Sequence, residues 1–183
     1  MKDDDNLVIE KILKGKKNAY EIIVKRYMKR AYFIALGFTG NHNDALDLSQ
    51  EAFIKAYRSL HKFDLSMSFS SWFYTILKNL CLNFVKKNKE IGKAPWEIVD
   101  ESKLKESLGP LGEAQRREMK KILWERISEL PVKEREIILL RYFQQISYKE
   151  ISKLIGCPLG TVMSRLYYAK KKLKENLKDI LHK

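Results

Sequence analysis

The chain has 183 residues, with 36 Lys or Arg against 23 Asp or Glu and a formal net charge of +13; this length fits one ordinary domain or two small ones. Hydrophobic residues make up 45% and charged residues 32%, a balance that supports a buried core, and with no uninterrupted apolar run of membrane-spanning length, direct membrane insertion is not expected. The positive excess favours a polyanionic partner, because phosphates neutralised by Lys and Arg release counterions: nucleic acid first, an anionic membrane surface second.

The start, Met1-Lys-Asp-Asp-Asp5, is acidic and has no apolar stretch of the kind a secretory signal requires, so a cytoplasmic location is expected. Cys81 and Cys157 are too few and too far apart for a zinc quartet, and both are read as small, buried, reduced residues. The only histidines are His42, His61 and His182. No compact acidic cluster or Cys/His group has metal-site spacing, so no catalytic centre, metal or cofactor is expected.

Strand signals are nearly absent, which predicts an all-α fold. Helices are predicted over 6–14, 18–37, 43–61 and 69–88, then over 115–129, 132–142, 147–155 and 158–181. Asp3 to Asp5 reads as a frayed, solvated tail. Gly37 and Gly40 break the chain before the third helix, and Pro131 suits the start of the sixth. Gly92, Pro95, Gly109, Pro110 and Gly112 gather where the apolar periodicity weakens, the composition of a linker. Charge marks the same place: residues 1–95 carry 17 basic and 10 acidic side chains, net +7; residues 96–115 carry 2 and 5, net −3; residues 116–183 carry 17 and 8, net +9. An acidic island thus lies between two basic blocks. The expected layout is a helical domain over 1–91, a flexible acidic linker over 92–115 and a second helical domain over 116–183.

In the third helix, Ala45, Leu48, Ala52, Phe53, Ala56 and Leu60 form an apolar stripe at helical spacing and should face the core. The far side presents Asp47, Gln50, Glu51, Ile54 and Arg58. An acidic patch repels DNA, and Ile54 in its midst is poorly suited to solvent; the alternatives are a solvated face and a docking surface for a protein with basic groups. In the fourth helix, Phe69, Phe73, Ile76, Leu77, Leu80 and Phe84 form the core stripe, while one flank aligns Trp72, Thr75, Asn79, Asn83 and Lys86. Carboxamides can bond base edges, lysines can hold phosphates and an aromatic edge can support an unstacked base; Trp72 is equally a core residue of a small domain. The loop before this helix, Phe63-Asp-Leu-Ser-Met-Ser68, is polar enough to receive an extruded base, whose unstacking costs about a few kcal/mol that contacts must offset.

The last two helices read as a helix-turn-helix. Ser147 and Glu150 have capping-box spacing, Gly156 fits the left-handed residue past the end of the first helix, and Pro158 fits the first turn of the next. Leu159, Val162, Leu166, Ala169 and Leu173 recur at helical spacing and should face the core. The opposite side carries Gly160, Thr161, Ser164, Tyr167, Tyr168 and Lys171, with Arg165 at its border. Small residues there permit close approach to DNA, and hydroxyls and cations can reach bases or phosphates. An ordinary surface hairpin is the plainer alternative.

Taken together, these blocks resemble a bacterial RNA polymerase sigma factor of the extracytoplasmic-function type. Residues 44–57, DALDLSQEAFIKAY, look like the family's region 2.2, and 69–80, FSSWFYTILKNL, like the stretch entering its minus-ten reader. Residues 129–136, ELPVKERE, and 156–166, GCPLGTVMSRL, look like region 4. The resemblance implies a transcription initiation factor whose partners are core RNA polymerase, promoter DNA and an anti-sigma factor. It implies that Asp47, Gln50, Glu51 and Ile54 dock on the polymerase clamp. It also implies that Trp72, Asn79, Asn83 and Lys86 meet the minus-ten element, with Asp64 and Ser66 in a 63–70 loop that holds a flipped base. Thr161, Ser164, Arg165, Tyr168 and Lys171 would read the minus-thirty-five element, and the acidic linker would run toward the polymerase cleft. Met163, Tyr167 and Tyr168 depart from the Lys, His and Arg common in relatives, so no promoter sequence is carried over. A stand-alone helix-turn-helix repressor or activator is the rival, and an enzyme acting on nucleic acid has little support.

Overall fold

The computed structural model describes residues 2–90 and 110–181. Every regular element among the described residues is helical: α1 (Lys2–Leu13), α2 (Tyr20–Thr39), α3 (His42–Ser59), α4 (Phe69–Glu90), α5 (Pro110–Glu129), α6 (Val132–Ile138), α7 (Tyr148–Ile155) and α8 (Leu159–Leu181). Two compact units result, one built from α1 to α4 and the other from α5 to α8.

The first unit is organised by aromatic packing that the third and fourth helical stripes supply. Phe53 of α3 stacks on Phe73 of α4 with ring centroids 4.6 Å apart, and Tyr27 of α2 lies 5.3 Å from Phe69. Ile9, Ile23, Tyr27, Phe69, Phe73 and Leu77 are fully buried, and each such side chain contributes about 1.5–3 kcal/mol through removal from water. The α3 stripe faces inward as the spacing predicts, with Ala45, Leu48, Ala52, Phe53, Ala56 and Leu60 all buried. In α4, Ile76 and Phe84 are only half-buried, while Tyr74 and Cys81 join the core instead.

Three expectations change here. Gly37 does not break the chain: α2 runs through it to Thr39, and Gly40, at φ +67°, makes the turn. Asp5 is not a frayed tail but is 2% exposed inside α1, where its carboxylate accepts hydrogen bonds from Arg26 and the hydroxyl of Tyr27. The first helix also starts at Lys2 rather than at residue 6.

In the second unit, Ile137, Leu139, Leu140, Ile151, Val162 and Ala169 are buried among α6, α7 and α8, and Trp124 of α5 packs 4.9 Å from Phe143. The predicted helix 132–142 divides: α6 ends at Ile138 and a π-helical turn covers Leu139–Phe143. Arg135 donates to the carbonyls of Ser128 and Leu130, closing the α5–α6 corner, and desolvation there lowers its pKa. α5 begins at Pro110, inside the predicted linker; the remainder of that linker lies outside the described residues.

The helix-turn-helix corner follows its local chemistry. The Ser147 hydroxyl accepts from the Glu150 amide at 3.2 Å, and the Glu150 carboxylate accepts from the Ser147 amide at 2.9 Å, forming a capping box. The Ser147 hydroxyl also donates to that carboxylate at 2.7 Å, and the bonds from the Ser147 amide and hydroxyl hold the Glu150 carboxyl below its ordinary pKa. Gly156 closes α7 at φ +64°, a conformation glycine adopts without the Cβ penalty of other residues. Pro158 sits one residue before α8, its carbonyl accepting from the amides of Thr161 and Val162. Leu159 is 39% exposed rather than core, because the first turn of α8 projects beyond the apolar face that Val162 and Leu166 bury. Cys157 is half-buried, so only Cys81 fits the expectation of a buried thiol; burial pushes the Cys81 thiol up to about 12.

Candidate nucleic-acid and protein interfaces

On α3 the residues opposite the core stripe form one continuous exposed face. Asp47, Gln50, Glu51 and Ile54 all lie on it, with Ile54 51% exposed. Glu51 pairs with Lys55 at 2.9 Å, one turn along, and such an exposed pair is worth little to stability. Leu46 and Tyr57, each 37% exposed, extend the apolar part of this face. They escape a search for acidic residues, although their helical spacing with Gln50 and Ile54 marks them. Tyr57 is held at one edge by the Tyr20 ring, 4.9 Å away, whose hydroxyl donates to the Phe53 carbonyl at 2.7 Å. Carboxylates interleaved with uncovered apolar side chains suit a basic protein surface better than they suit either water or phosphate.

The face changes sign toward its C-terminal end. Lys55, Arg58 and Ser59 of α3 and Ile76, Asn79, Leu80 and Asn83 of α4 line an open cleft of about 390 Å³. Asn79 and Asn83 therefore stand beside two cations, of which Arg58 falls by helical spacing on the same side as the acidic patch. Lys86 is exposed a turn beyond Asn83. Trp72 sits apart from that cleft at the start of α4, half-buried, with its ring 5.1 Å from Phe63 and 5.7 Å from Phe69. Its ring braces the loop base and keeps one side toward solvent.

The loop over 63–68 is ordered by its own polar groups. The Asp64 carboxylate accepts from the Ser66 amide and from the Ser66 hydroxyl, both at 2.8 Å, and the Asp64 carbonyl accepts from the Met67 amide at 2.9 Å. Asp64 and Ser66, singled out as base contacts, thus also shape the loop. Its apex is tethered from elsewhere, as the Asn6 side-chain amide of α1 donates to the Leu65 carbonyl at 2.8 Å. Sequence inspection missed Asn6, because no local pattern reports a partner 59 residues away.

In the second unit, Thr161, Ser164, Tyr168 and Lys171 follow one another at helical spacing along the side of α8 opposite Val162, Leu166 and Ala169. Arg165 borders that strip, half-buried. The Ser164 hydroxyl donates to the Thr161 carbonyl at 3.1 Å, leaving its lone pairs toward solvent. Met163, Tyr167 and Tyr168 are 53%, 63% and 56% exposed, and the two tyrosine rings meet edge to face at 5.5 Å. Met163 and Tyr167, with Tyr148 of α7 and Lys170, Lys171 and Lys174, border a groove of about 640 Å³. Apolar groups flanked by lysines can meet thymine methyls while the ammonium groups hold phosphates. Among the described residues no group of His, Cys, Asp and Glu could hold a metal ion, and no helix is long and apolar enough to cross a membrane.

Comparison with known proteins gives the following. Residues 23–91 match the family model for Sigma-70 region 2, and residues 120–173 match that for Sigma-70 region 4. The chain is 30% identical over 188 residues to the ECF RNA polymerase sigma-E factor of Escherichia coli, covering 98% of this chain and 97% of that protein. It is 29% identical over 179 residues to the ECF RNA polymerase sigma factor SigW of Bacillus subtilis, covering 94% and 96%. Its fold resembles that of the sigma factor RpoE, solved with the anti-sigma factor NepR from Bartonella quintana, at a TM-score of 0.69 and 24% identity over 89% of this chain and 98% of that one. It also resembles CnrH, solved in complex with the cytosolic domain of CnrY, at a TM-score of 0.72 and 19% identity over 96% and 97%.

Proposed function

The chain belongs to the extracytoplasmic-function (ECF) sigma factors of bacterial RNA polymerase, and from that premise we propose how its surfaces divide the work of transcription initiation. Sigma factors are not enzymes; they bind core polymerase and direct it to promoters, in the cytoplasm. The observation that carries the residue assignment is the reversal of character along one helix. On α3, Asp47, Gln50, Glu51 and Ile54 are exposed together, while Arg58 one turn on lines the cleft with Asn79 and Asn83.

The acidic and apolar stretch docks on a basic element of core polymerase. Its carboxylates steer the encounter, and Ile54, Leu46 and Tyr57 lose water on contact. The adjoining cleft takes promoter DNA, with Asn79 and Asn83 offering paired donors and acceptors to bases and with Lys55, Arg58 and Lys86 holding phosphates. The 63–68 loop receives an extruded base beside Trp72, a site that Asp64 and Ser66 shape. In the second unit the exposed strip of α8 enters the major groove of the minus-thirty-five element: Thr161 and Ser164 near base edges, Arg165 and Lys171 on phosphates or guanine, Tyr168 at the rim. We assign the two domains to 1–91 and 116–183 with the acidic linker between them, and no catalytic role to any residue. A lone repressor or activator accounts for α7 and α8 but leaves the α3 face without use. An anti-sigma protein is a further partner that we infer, supported by the related sigma factor RpoE solved with the anti-sigma factor NepR.

The test compares two classes of variant with purified core polymerase and a promoter library. Asp47→Lys with Glu51→Lys should weaken core binding at least tenfold without changing the circular dichroism spectrum. Arg165→Ala should keep core affinity and lose dependence on the upstream element. Unchanged core affinity in the first variant would refute the docking surface, and retained upstream dependence in the second would refute the orientation of α8.

A further inference from the structure

Apart from the Asn6 tether, the N-terminal helix of the first unit supplies nothing to the interfaces above, yet a buried carboxylate and apolar side chains fasten it to its neighbours. Asp5 is 2% exposed and accepts from both Arg26 and Tyr27 on α2. Ile9, at 0% exposure, and Val8 and Ile12 bury the same side of α1. The helix is thereby fixed in position against α2, and the next residue, Asn6, reaches from it to the 63–68 loop, where its side-chain nitrogen donates to the Leu65 carbonyl at 2.8 Å. The other atom of that carboxamide, Oδ1, is buried without a partner. A buried polar atom left unpaired costs free energy, so the orientation of Asn6 is one in which contact with the loop outweighs its own full satisfaction.

We infer that Asn6 is a positioning residue for promoter opening: it holds the 63–68 loop in the one conformation that receives an extruded base. The inference rests on the assignment of that loop as the base receiver. Its physical content is a population effect. Within the loop, Asp64 and Ser66 set a local turn, but a local turn can swing as a body about residues 63 and 68. The bond from Asn6 ties the turn apex to a helix that is itself anchored by a buried carboxylate, removing that freedom before DNA arrives. A loop competent for only a fraction of the time binds with an affinity reduced by that fraction. Loss of one hydrogen bond worth about 1 kcal/mol lowers the competent fraction, and hence the apparent affinity for the base, by up to about fivefold.

The test uses holoenzyme assembled from core polymerase and the full chain, with a single-stranded non-template oligonucleotide from a promoter selected in the library assay. An abasic site is moved one position at a time along the minus-ten element. In the unsubstituted protein one position should carry the largest penalty, and it marks the extruded base. Asn6→Ala and Asn6→Leu should each weaken the intact oligonucleotide, by up to about fivefold, and leave the oligonucleotide abasic at that position unchanged. Asn6→Leu keeps the number and branching of the side-chain heavy atoms, so a cavity of the kind Asn6→Ala leaves cannot account for an effect the two variants share. If the intact and abasic oligonucleotides weaken equally, or neither weakens, Asn6 does not position the loop and the proposal is wrong. If no position shows an abasic penalty in the unsubstituted protein, or if Asp64→Ala with Ser66→Ala leaves the penalty intact, the base-receiving loop itself is wrong and the proposal falls with it.

Discussion

Removing the Asp5 carboxylate tests how the first unit is held together, and the structure sets the size of the effect. In Asp5→Ala the hydroxyl of Tyr27, a residue with 0% exposure, loses its acceptor, and an unpaired buried hydroxyl costs about 1–3 kcal/mol. Arg26 also loses its partner, but its side chain is 29% exposed and water replaces most of that interaction, leaving about 1 kcal/mol. The expected loss is therefore about 3 kcal/mol, a large part of the roughly 5–15 kcal/mol that holds a typical domain. A second substitution isolates the mechanism. Tyr27→Phe alone removes one hydrogen bond and should cost about 1 kcal/mol, whereas in the Asp5→Ala background it removes the orphaned hydroxyl and should restore about 1–2 kcal/mol. Urea unfolding would be followed through Trp72, which packs on Phe63 and Phe69 in the same unit, with Trp96 and Trp124 replaced by Phe throughout so that Trp72 is the only tryptophan. At an m-value of about 2 kcal/mol/M, Asp5→Ala should move the midpoint down by about 1.5 M. A shift below about 0.5 M, or an equal cost of Tyr27→Phe in both backgrounds, would show that the three groups do not form a buried network.

Asn79→Ala with Asn83→Ala should reduce open-complex formation, read by permanganate reactivity of unpaired thymines, at least tenfold while core affinity stays within twofold; equal loss of both would point to a folding defect instead. Ser147→Ala should cost the second unit about 1 kcal/mol in urea unfolding, because the Glu150 amide at the start of α7 loses its acceptor. The same cap has a pH signature. Bonds from Ser147 hold the Glu150 carboxyl below its ordinary value, so its contribution is present above the ordinary carboxylate range and fades as pH falls through the lowered folded value. The stability gap between the unsubstituted protein and Glu150→Gln should accordingly close on acidification, and a gap that widens would contradict the assigned bonding.

Features set by neighbours in sequence were legible, and features set by distant partners were not. The helical stripe of α3, the capping box at Ser147 and Glu150, and the left-handed Gly156 each follow from residues within one or two turns, so periodicity and turn chemistry found them. Asp5 reads as part of a frayed tail because its partners, Arg26 and Tyr27, lie on another helix and leave no mark on local pattern. The same reason hides Asn6. Leu159 has the spacing of a core residue but lies at a helix start, where the stripe runs past the surface it packs on. The π-helical turn at 139–143 was invisible for a different reason: an apolar run of Ile137 to Leu140 is buried whichever helical period it follows. Among the candidate contacts, the acidic and apolar mixture around Ile54 was readable, whereas the closeness of Arg58 to Asn79 and Asn83 required α3 and α4 to be packed.

The two ends of α7 give the helix-turn-helix a property of a different kind, one that concerns how such a protein changes over generations. Its geometry is fixed by the side-chain-to-backbone bonds between Ser147 and Glu150 and by the left-handed turn at Gly156, with Val162, Leu166 and Ala169 anchoring α8 from beneath. Met163, Tyr167 and Tyr168 lie on the other side and bury no core surface. Reading head and frame are separate sets of residues, so substitutions that alter which promoters are chosen need not disturb folding, and selection can act on the regulon while the scaffold stays as it is.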